Sequence, residues 1–268
     1  NERRIASVLD HSCLLKLNAT YQDDEHIYML TEALMGGELF SLLMEYDTFD
    51  NDMARFYFAQ VASGFQCLHQ LGVVYRDLKP ENLMLDTEGY LRIVDFGFAK
   101  MIADQNTYTL CGTPEYLSPE MVMTRGHGLA SDWWATGVLL YELLHGTSPF
   151  ASDTLMDMYK LIVQSTYTLP PKMQGQPSGK LINGLLVFDV AMRIGGGKDG
   201  GDEVIGDRFF DGLDWDALYR KQLPAPWVPS LANGLDTSCF QNYTDDEKPW
   251  ADINLDGVEV DHDFFVEF

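Results

Sequence analysis

The most informative stretch of the chain is Tyr-Arg-Asp-Leu-Lys-Pro-Glu-Asn at residues 75–82, which is followed by Asp-Phe-Gly at 95–97 and Ser-Pro-Glu at 118–120. Asp77 and Lys79 lie two positions apart, so their side chains face the same side of an extended loop. The asparagine of the first motif and the aspartate of the second carry hard oxygen ligands of the kind that Mg²⁺ prefers. Together these motifs predict a polar site with oxygen ligands suited to a divalent metal ion.

Residues 52–71 and 131–144 have the patterns of helices. In the first segment the apolar residues recur every three or four positions, and Asp50 or Asn51 is a suitable cap. The second segment is nearly all apolar, which predicts a buried helix.

Short strands are predicted on both sides of the first helix. Residues 14–21 and 26–31 flank a polar Gln-Asp-Asp-Glu turn, which is typical of an antiparallel hairpin. Two further strands flank the turn sequence at 86–89. Strands and helices together predict a mixed α+β fold.

Composition limits the class of protein. The chain has 268 residues, 46% of them hydrophobic, so it can bury a substantial core. Eighteen basic and 41 acidic residues give a formal net charge of −23, which would repel nucleic-acid phosphates and anionic membranes. We find no apolar run of ~18 residues for a membrane span and no secretion-like start. The four cysteines are widely spaced and suggest neither a zinc site nor a disulfide framework. We therefore expect a cytoplasmic protein without a nucleic-acid partner.

Acidic residues are concentrated in two stretches. Residues 199–216 hold seven acids and one arginine, and residues 245–268 hold nine acids and one lysine. We expect both to be surface excursions or a wrapping tail rather than core.

The three motifs resemble the signature set of protein kinases. Residues 107–116, Thr-Tyr-Thr-Leu-Cys-Gly-Thr-Pro-Glu-Tyr, are similar to the activation segment of the AGC family of serine/threonine kinases, closest to the cyclic-nucleotide-dependent members. Tyr75 stands where most kinases have histidine, as it does in those members. Residues 236–240 and the terminal Phe-Val-Glu-Phe at 265–268 are similar to their C-terminal tail.

This resemblance implies a kinase-like α+β fold, mainly the helical C-lobe with a remnant of the N-lobe sheet. We expect residues 1–31 to form a partial N-lobe with helix C and the last strands, residues 32–222 the hinge and C-lobe, and residues 223–268 the tail. The glycine-rich loop and the lysine of the third strand are missing, so the chain is expected to be an N-terminally truncated fragment.

The resemblance also implies a catalytic centre that uses ATP and Mg²⁺. Asp77 would orient the substrate hydroxyl and accept its proton, Lys79 would hold the transferred phosphate, and Thr113 would bond both residues. Asn82 and Asp95 would hold Mg²⁺. Asp132 would bond the backbone of this catalytic loop.

The implied nucleotide contacts lie in the hinge, the sheets and the tail. The backbone of Glu32 and Leu34 would bond adenine, with Thr31 behind it. Four more positions carry over from the family: Glu2 as the partner of the missing lysine, Glu38 as a ribose contact, Met84 as the floor and Phe240 as a closing residue from the tail. Ala6 stands where the family has a larger apolar residue, so the stack of Leu17, Tyr75 and Phe96 is expected to be underpacked.

Activation and substrate selection follow from the same resemblance. Thr109 would be the activating phosphorylation site, with Arg76 and Lys100 on its phosphate, and Glu120 would pair with Arg193. The implied substrate contacts are the acidic Glu38, Glu81, Glu115 and Glu142, which favour arginine side chains, and an apolar group formed by Leu110, Pro114 and Leu117. The predicted partners are basic Ser/Thr-containing proteins and a cyclic-nucleotide-responsive regulatory region.

Three alternatives remain open. The chain could be a non-catalytic module that docks basic peptides without ATP. Residues 195–200 formally match a glycine-rich phosphate loop, but without a preceding strand they predict a surface loop. Residues 252–257, with Asp263 at the closing position, nearly match a calcium-binding loop, although Asp replaces the usual Glu and an acidic tail is the expected interpretation.

Overall fold

The computed structural model describes residues 2–23, 26–102 and 106–240. The helices are α1 Glu2–Ala6, α2 Leu39–Tyr46, α3 Asn51–Gln70, α4 Pro119–Val122, α5 Ala130–His145, α6 Leu155–Gln164, α7 Pro177–Leu185, α8 Gly201–Ile205 and α9 Trp215–Tyr219, with 3-10 turns at Pro80–Asn82, Pro114–Tyr116 and Arg208–Phe210. The strands are β1 Leu17–Gln22, β2 Ile27–Thr31, β3 Val73–Val74, β4 Leu83–Leu85, β5 Leu91–Ile93 and β6 Lys100–Met101.

Helices α3 and α5 form the centre of the molecule, because both carry apolar side chains on more than one face. Helix α3 begins where the side chain of Asp50 accepts hydrogen bonds from the Asp52 and Met53 amides, so the predicted cap is confirmed. Helix α5 packs against α3 and α7. The Trp133 ring packs at a tilt against Phe65 of α3, and Trp134 stacks on Phe150 with ring centroids 5.4 Å apart.

The strands form small antiparallel pairs at the edges of this helical core. Strand β1 pairs with β2, starting at Leu17 opposite Thr31. Strand β4 pairs with β5, with Met84 opposite Arg92, and β3 pairs with β6. The predicted hairpins around residues 22–25 and 86–89 are confirmed, although β1 begins three residues later than expected because residues 13–15 run alongside β5 instead.

One expectation about the acidic stretches is wrong. Residues 199–216 contribute to the core, since Val204, Phe209 and Phe210 are buried and Phe58 of α3 stacks on Phe210. The acids of this stretch lie at the surface or cap short helices, as Asp207 and Asp214 do. The glycine-rich residues 195–200 form turns without a preceding strand, as expected.

The architecture is a mostly helical α+β fold, as the sequence predicts. Among the described residues, no helix combines the length and the apolar character needed to cross a bilayer. The division at residues 31 and 222 stays a prediction.

Candidate active site

The loop before Asp77 is fixed by a buried carboxylate from α5. Asp132 accepts hydrogen bonds from the backbone amides of Tyr75 and Arg76, each over 2.9 Å. His69 Nε2 lies 2.8 Å from the same carboxylate and gives it a further donor. These bonds hold Arg76 in the left-handed region, at φ 72°. The predicted contact between Asp132 and this loop is confirmed, and His69 is a satisfied core histidine.

Asp77 lies at the centre of the site and is 4% exposed. Its Oδ2 atom accepts a 2.9 Å hydrogen bond from Asn82 Nδ2, and its Oδ1 atom accepts one of 3.3 Å from Thr113 Oγ1. Lys79 Nζ lies 3.7 Å from Asp77 Oδ2. The predicted bond between Thr113 and Asp77 is confirmed. Within the described residues, Thr113 makes no bond to Lys79, whose ammonium group approaches the aspartate instead.

Asn82 and Asp95 offer oxygens suited to a divalent cation. Asn82 uses its amide nitrogen for both the carbonyl and the carboxylate of Asp77, so its side-chain oxygen stays available. The Val94 amide donates to the Asn82 carbonyl, which joins the two loops. Asp95 is exposed, at φ 56°, and one carboxylate oxygen accepts from the Gly97 amide. An amide oxygen and a carboxylate are hard donors, and this donor set fits Mg²⁺.

A cavity of about 130 Å³ lies beside Asp95. Its walls include Glu2 of α1, Thr31 of β2 and Phe96, so the structure brings these predicted site residues together. Burial, and then the negative charge of Asp95, raise the pKa of the Glu2 carboxyl. Ala6 and Leu17 also line the cavity, whereas Tyr75 packs edge-on against Phe96 with ring centroids 5.9 Å apart. Underpacking of the whole stack stays a prediction.

The connector between β2 and α2, residues 32–38, contains the predicted adenine contacts. The Glu32 amide donates to the Lys16 carbonyl over 3.3 Å, whereas the Leu34 backbone bonds no other described residue. Met84 lies beside this connector, because the neighbouring Leu85 exchanges hydrogen bonds with Gly36 and Gly37. These contacts, together with the bridge between Glu38 and Met84, place the Met84 backbone next to the connector.

The tail segment returns to the same connector. A Cβ atom built on Gly37, at φ 77°, would lie 2.7 Å from the Cys239 carbonyl, so only glycine allows this close approach. Cys239 precedes Phe240, the predicted closing residue, which is half-buried. Glu38 lies at the start of α2 and borders a cleft with Cys239. The proposed calcium loop at 252–257 and the terminal motif at 265–268 lie outside the described residues.

The predicted activation residues are Thr109, Arg76 and Lys100, and within the described residues they form no hydrogen bonds with one another. Thr109 is exposed, and Lys100 Nζ donates to Thr107 Oγ1 over 3.0 Å. Arg76 binds the Phe98 carbonyl through Nε and Nη2, while its buried Nη1 has no partner among the described residues. A buried guanidinium nitrogen without an acceptor is costly, so this position favours an additional anion.

Acidic side chains meet on the other side of the catalytic loop. The pKa of the Glu142 carboxyl is raised by burial and also by Glu115 and Glu81, so these three predicted substrate contacts lie close together. Tyr116 donates a hydrogen bond to Glu142. No local sequence pattern identifies this partner, because the two residues are 26 positions apart.

The three apolar residues predicted to bind downstream of the substrate hydroxyl differ in exposure. Leu110 and Pro114 are exposed, whereas Leu117 is buried. Leu117 packs instead beside Leu78, Met121 and Ala135. The structure therefore leaves two of the three at the surface.

A buried ion pair anchors the end of this segment. Both guanidinium nitrogens Nη1 and Nη2 of Arg193 donate to Glu120, at 2.8 and 2.9 Å. The predicted pair is confirmed. It ties α4 to the loop that follows α7.

Comparison with known proteins defines the class of this chain. The model of the protein kinase domain matches residues 1–206. The chain therefore belongs to the protein kinase family, and the predicted phosphotransferase class is confirmed.

Individual relatives indicate which protein kinases the chain is similar to. The chain is 40% identical over 247 residues to the human cAMP-dependent protein kinase catalytic subunit PRKX, covering 92% of this chain and 68% of that protein. It is 41% identical over 264 residues to human cGMP-dependent protein kinase 2, covering 97% and 34%. The cAMP-dependent catalytic subunit of Dictyostelium discoideum is 40% identical, with 92% and 38% covered. The chain thus spans between 34% and 68% of these relatives' lengths. These names agree with the AGC kinase prediction.

Proposed function

We propose that this chain carries the catalytic loop of a serine/threonine kinase that phosphorylates hydroxyl groups downstream of arginine residues. The observation that carries the proposal is the environment of Asp77. Its two carboxylate oxygens are held by Asn82 and Thr113, and a lysine lies 3.7 Å away. Orientation of a carboxylate in this way is what positioning of a substrate hydroxyl requires.

Each residue of the centre would have a distinct part in the transfer. Asp77 would orient the hydroxyl and take its proton as the new bond to phosphorus forms. Lys79 would place its positive charge on the phosphate oxygens. Asn82 and Asp95 would hold Mg²⁺ through their oxygens, and Mg·ATP would supply the phosphoryl group and the neutralisation of its charge.

The connector and the tail would hold the nucleoside. The free backbone groups of Leu34 and the carbonyl of Glu32 would bond adenine, Met84 would pack below it, and Thr31 would border its inner edge. Phe240 would close the pocket, since the preceding Cys239 is seated on Gly37.

Substrate preference follows from the acidic cluster. Glu81, Glu115 and Glu142 together attract guanidinium groups, and a bound arginine would relieve the repulsion that raises the pKa of Glu142. Glu38, on the connector side, would accept an arginine at a different spacing. A peptide with arginines two and three residues before a serine is the probe that fits this arrangement.

Phosphate transfer to this peptide by the 268-residue chain tests the proposal. We expect slow, Mg²⁺-dependent phosphorylation, because no glycine-rich loop precedes residue 75 in this sequence. Asp77→Asn should abolish it, whereas Asp157→Asn, on exposed α6, should not. A transfer rate that Asp77→Asn leaves unchanged would overturn the proposal. Peptide binding with no ATP binding would favour the non-catalytic docking module instead.

Activation through Thr109 needs a separate experiment. A phosphate there would supply the acceptor that Arg76 Nη1 lacks and would add a charge beside Lys100. Chain carrying phosphothreonine at 109 should show slower amide hydrogen exchange in residues 106–112. The change should disappear in Arg76→Gln, and equal exchange with and without the phosphate would contradict it. We further propose, from the relatives' names, control by a cyclic-nucleotide-responsive region.

A further inference from the structure

Arg92 joins parts of the chain that are far apart in sequence. It lies in the middle of β5, opposite Met84, and its side chain is 8% exposed. Its Nε atom donates to Glu32 Oε1 over 3.2 Å, and its Nη2 atom lies 3.5 Å from Asp86 Oδ2. Arg92 therefore lies between a carboxylate of the connector and a carboxylate of the turn after β4.

Asp86 extends this contact to the segment after α9. Lys221 Nζ lies 2.5 Å from Asp86 Oδ2 and 3.0 Å from Glu88 Oε2. Lys221 has a φ of 55°, in a region that non-glycine residues rarely adopt unless their surroundings fix them. Two residues later the Leu223 carbonyl accepts a 2.6 Å hydrogen bond from Tyr90. The start of the tail segment is thus held against the β4–β5 turn.

Glu32, on the other side of Arg92 from Asp86, is held by the backbone of Lys16. Its Oε1 atom also accepts a 3.1 Å hydrogen bond from the Lys16 amide, while its own amide donates to the Lys16 carbonyl. Glu32, Arg92, Asp86 and Lys221 therefore form one row of alternating charges, which we call the ionic bridge. It runs from the connector, across β5, to the tail segment that follows α9.

The ionic bridge differs from an ordinary surface ion pair. The side chains of Arg92 and Asp86 are 8% and 9% exposed, against 61% and 54% for Lys160 and Asp157 in α6. Exposed pairs contribute little because water screens them, whereas the loss of one buried partner leaves the other charge uncompensated. Without Arg92, Asp86 would keep its contact with Lys221, whereas Glu32 would lose the ion pair that joins the connector to β5. The connector would then be free to move away from β5.

We propose that Arg92 is a positioning residue for adenine binding and that Lys221 couples the tail segment to the connector through it. This inference rests on the proposed function, in which the connector backbone and Met84 contact adenine. Arg92 would not touch the nucleotide. It would set the distance between the connector backbone at 32–34 and the Met84 side chain, two contacts that no continuous segment joins.

The affinity of the complete chain for adenosine, measured by calorimetry, tests this role. Adenosine has no phosphate, so its affinity reports the adenine and ribose contacts without those of the phosphates. We expect Arg92→Met to weaken binding about tenfold or more, because small displacements of binding groups are costly. Arg92→Lys should restore part of the affinity, and Lys160→Met should leave it unchanged.

A double substitution tests the coupling. Lys221→Met should weaken adenosine binding by itself, by about threefold. In the Arg92→Met background it should have no further effect, since its influence would pass through Arg92. Equal and additive effects in both backgrounds would overturn the coupling through Arg92.

Further outcomes separate this inference from the proposed function. If the unmodified chain binds no adenosine, both fail. If it binds adenosine and folded Arg92→Met binds equally well, only the positioning role fails. Should Arg92→Met not fold, hydrogen exchange of Lys221→Met decides, because this lysine is less buried. Faster exchange in residues 31–37 supports the ionic bridge, and unchanged exchange there overturns it.

Discussion

The hydroxyl group of Tyr116 donates a hydrogen bond to Glu142, a half-buried carboxylate near Glu81 and Glu115. Burial and the neighbouring carboxylates both favour the protonated form of Glu142, and the pKa of its carboxyl is raised although the tyrosine bond opposes this. An arginine of a bound peptide would favour the ionised form instead. The protonation of Glu142 and the binding of a basic peptide are therefore linked.

We predict that affinity for an arginine-containing peptide falls as pH is lowered, starting above the usual carboxyl range of about 4.3. The carboxyl must lose its proton to pair with the guanidinium group, and its raised pKa moves that step upward. Titration of peptide affinity between pH 4 and pH 8 checks this. Glu142→Gln should bind more weakly at pH 8 and should lose the upper part of the pH dependence.

The same carboxyl should affect stability with the opposite sign. A carboxyl whose pKa is raised in the folded state stabilises the fold below its unfolded pKa, and this stabilisation is lost as pH rises through the folded value. Without peptide, Glu142→Gln should therefore raise the free energy of unfolding at pH 7, by about 1 kcal/mol. Urea unfolding at pH 4 and pH 7 checks the sign. A loss of stability at pH 7 would contradict it.

Local features of the fold were predictable from the sequence, whereas long-range partners were not. The cap at Asp50 and helix α3 depend on residues within one segment, so their pattern is visible in the chain. Glu32 and Arg92 are 60 positions apart, and no local pattern connects them. For residues 199–216 the composition was misleading. The excess of acids predicted a surface segment, although Phe209 and Phe210 are buried.

In the candidate site, too, residues of one local motif were predictable, whereas long-range partners were not. Asp77, Lys79 and Asn82 come from one short motif whose order already implies their proximity. Tyr116 and Glu142 meet only because the 3-10 turn at Pro114–Tyr116 packs on α5. Charge and size identify such residues as candidates, but their pairing depends on how the helices pack.

Arg193→Met should be among the most destabilising single substitutions in the chain. Arg193 is fully buried, binds Glu120 through two nitrogens and lies over the Trp134 ring at 5.2 Å. Its removal leaves a buried carboxylate without a cation, which costs about 3–5 kcal/mol. Urea unfolding measures the loss. Lys160→Met removes a cation from an exposed pair and should cause no measurable change. Similar effects of both variants would refute the argument.

The ion pair between Glu120 and Arg193 should also affect how the stability of the chain depends on pH. Burial alone would raise the pKa of the Glu120 carboxyl, but the bonds from Arg193 outweigh burial and lower it. A carboxyl with a lowered pKa contributes stability above its unfolded pKa, near 4.5, and this contribution is lost as pH falls through the folded value. In Glu120→Gln, the free energy of unfolding should therefore fall less steeply as pH drops below 4.5. An unchanged pH dependence in this range would show that other carboxylates dominate.

Asp132→Asn should loosen the catalytic loop as well as the fold. An asparagine can accept from one of the two backbone amides, at Tyr75 and Arg76, but cannot accept at both positions. One unsatisfied buried donor costs about 1–3 kcal/mol. We expect this loss in urea unfolding and faster hydrogen exchange at residues 75–77. Asp157→Asn serves as the exposed control, and a variant with normal exchange at Arg76 would contradict the role of Asp132.

Ala6→Leu should stabilise the chain by partly filling the cavity next to Phe96. The cavity measures about 130 Å³, and Ala6, Leu17 and Phe96 contribute its apolar side. Burial of the added side-chain carbons against this apolar side should contribute about 1–2 kcal/mol to the free energy of unfolding. Ser7→Leu, at the exposed neighbouring position, should give no such gain. Because Glu2 and Asp95 share the cavity, a leucine that displaces them would instead destabilise the chain, and thermal unfolding of both variants distinguishes the two results.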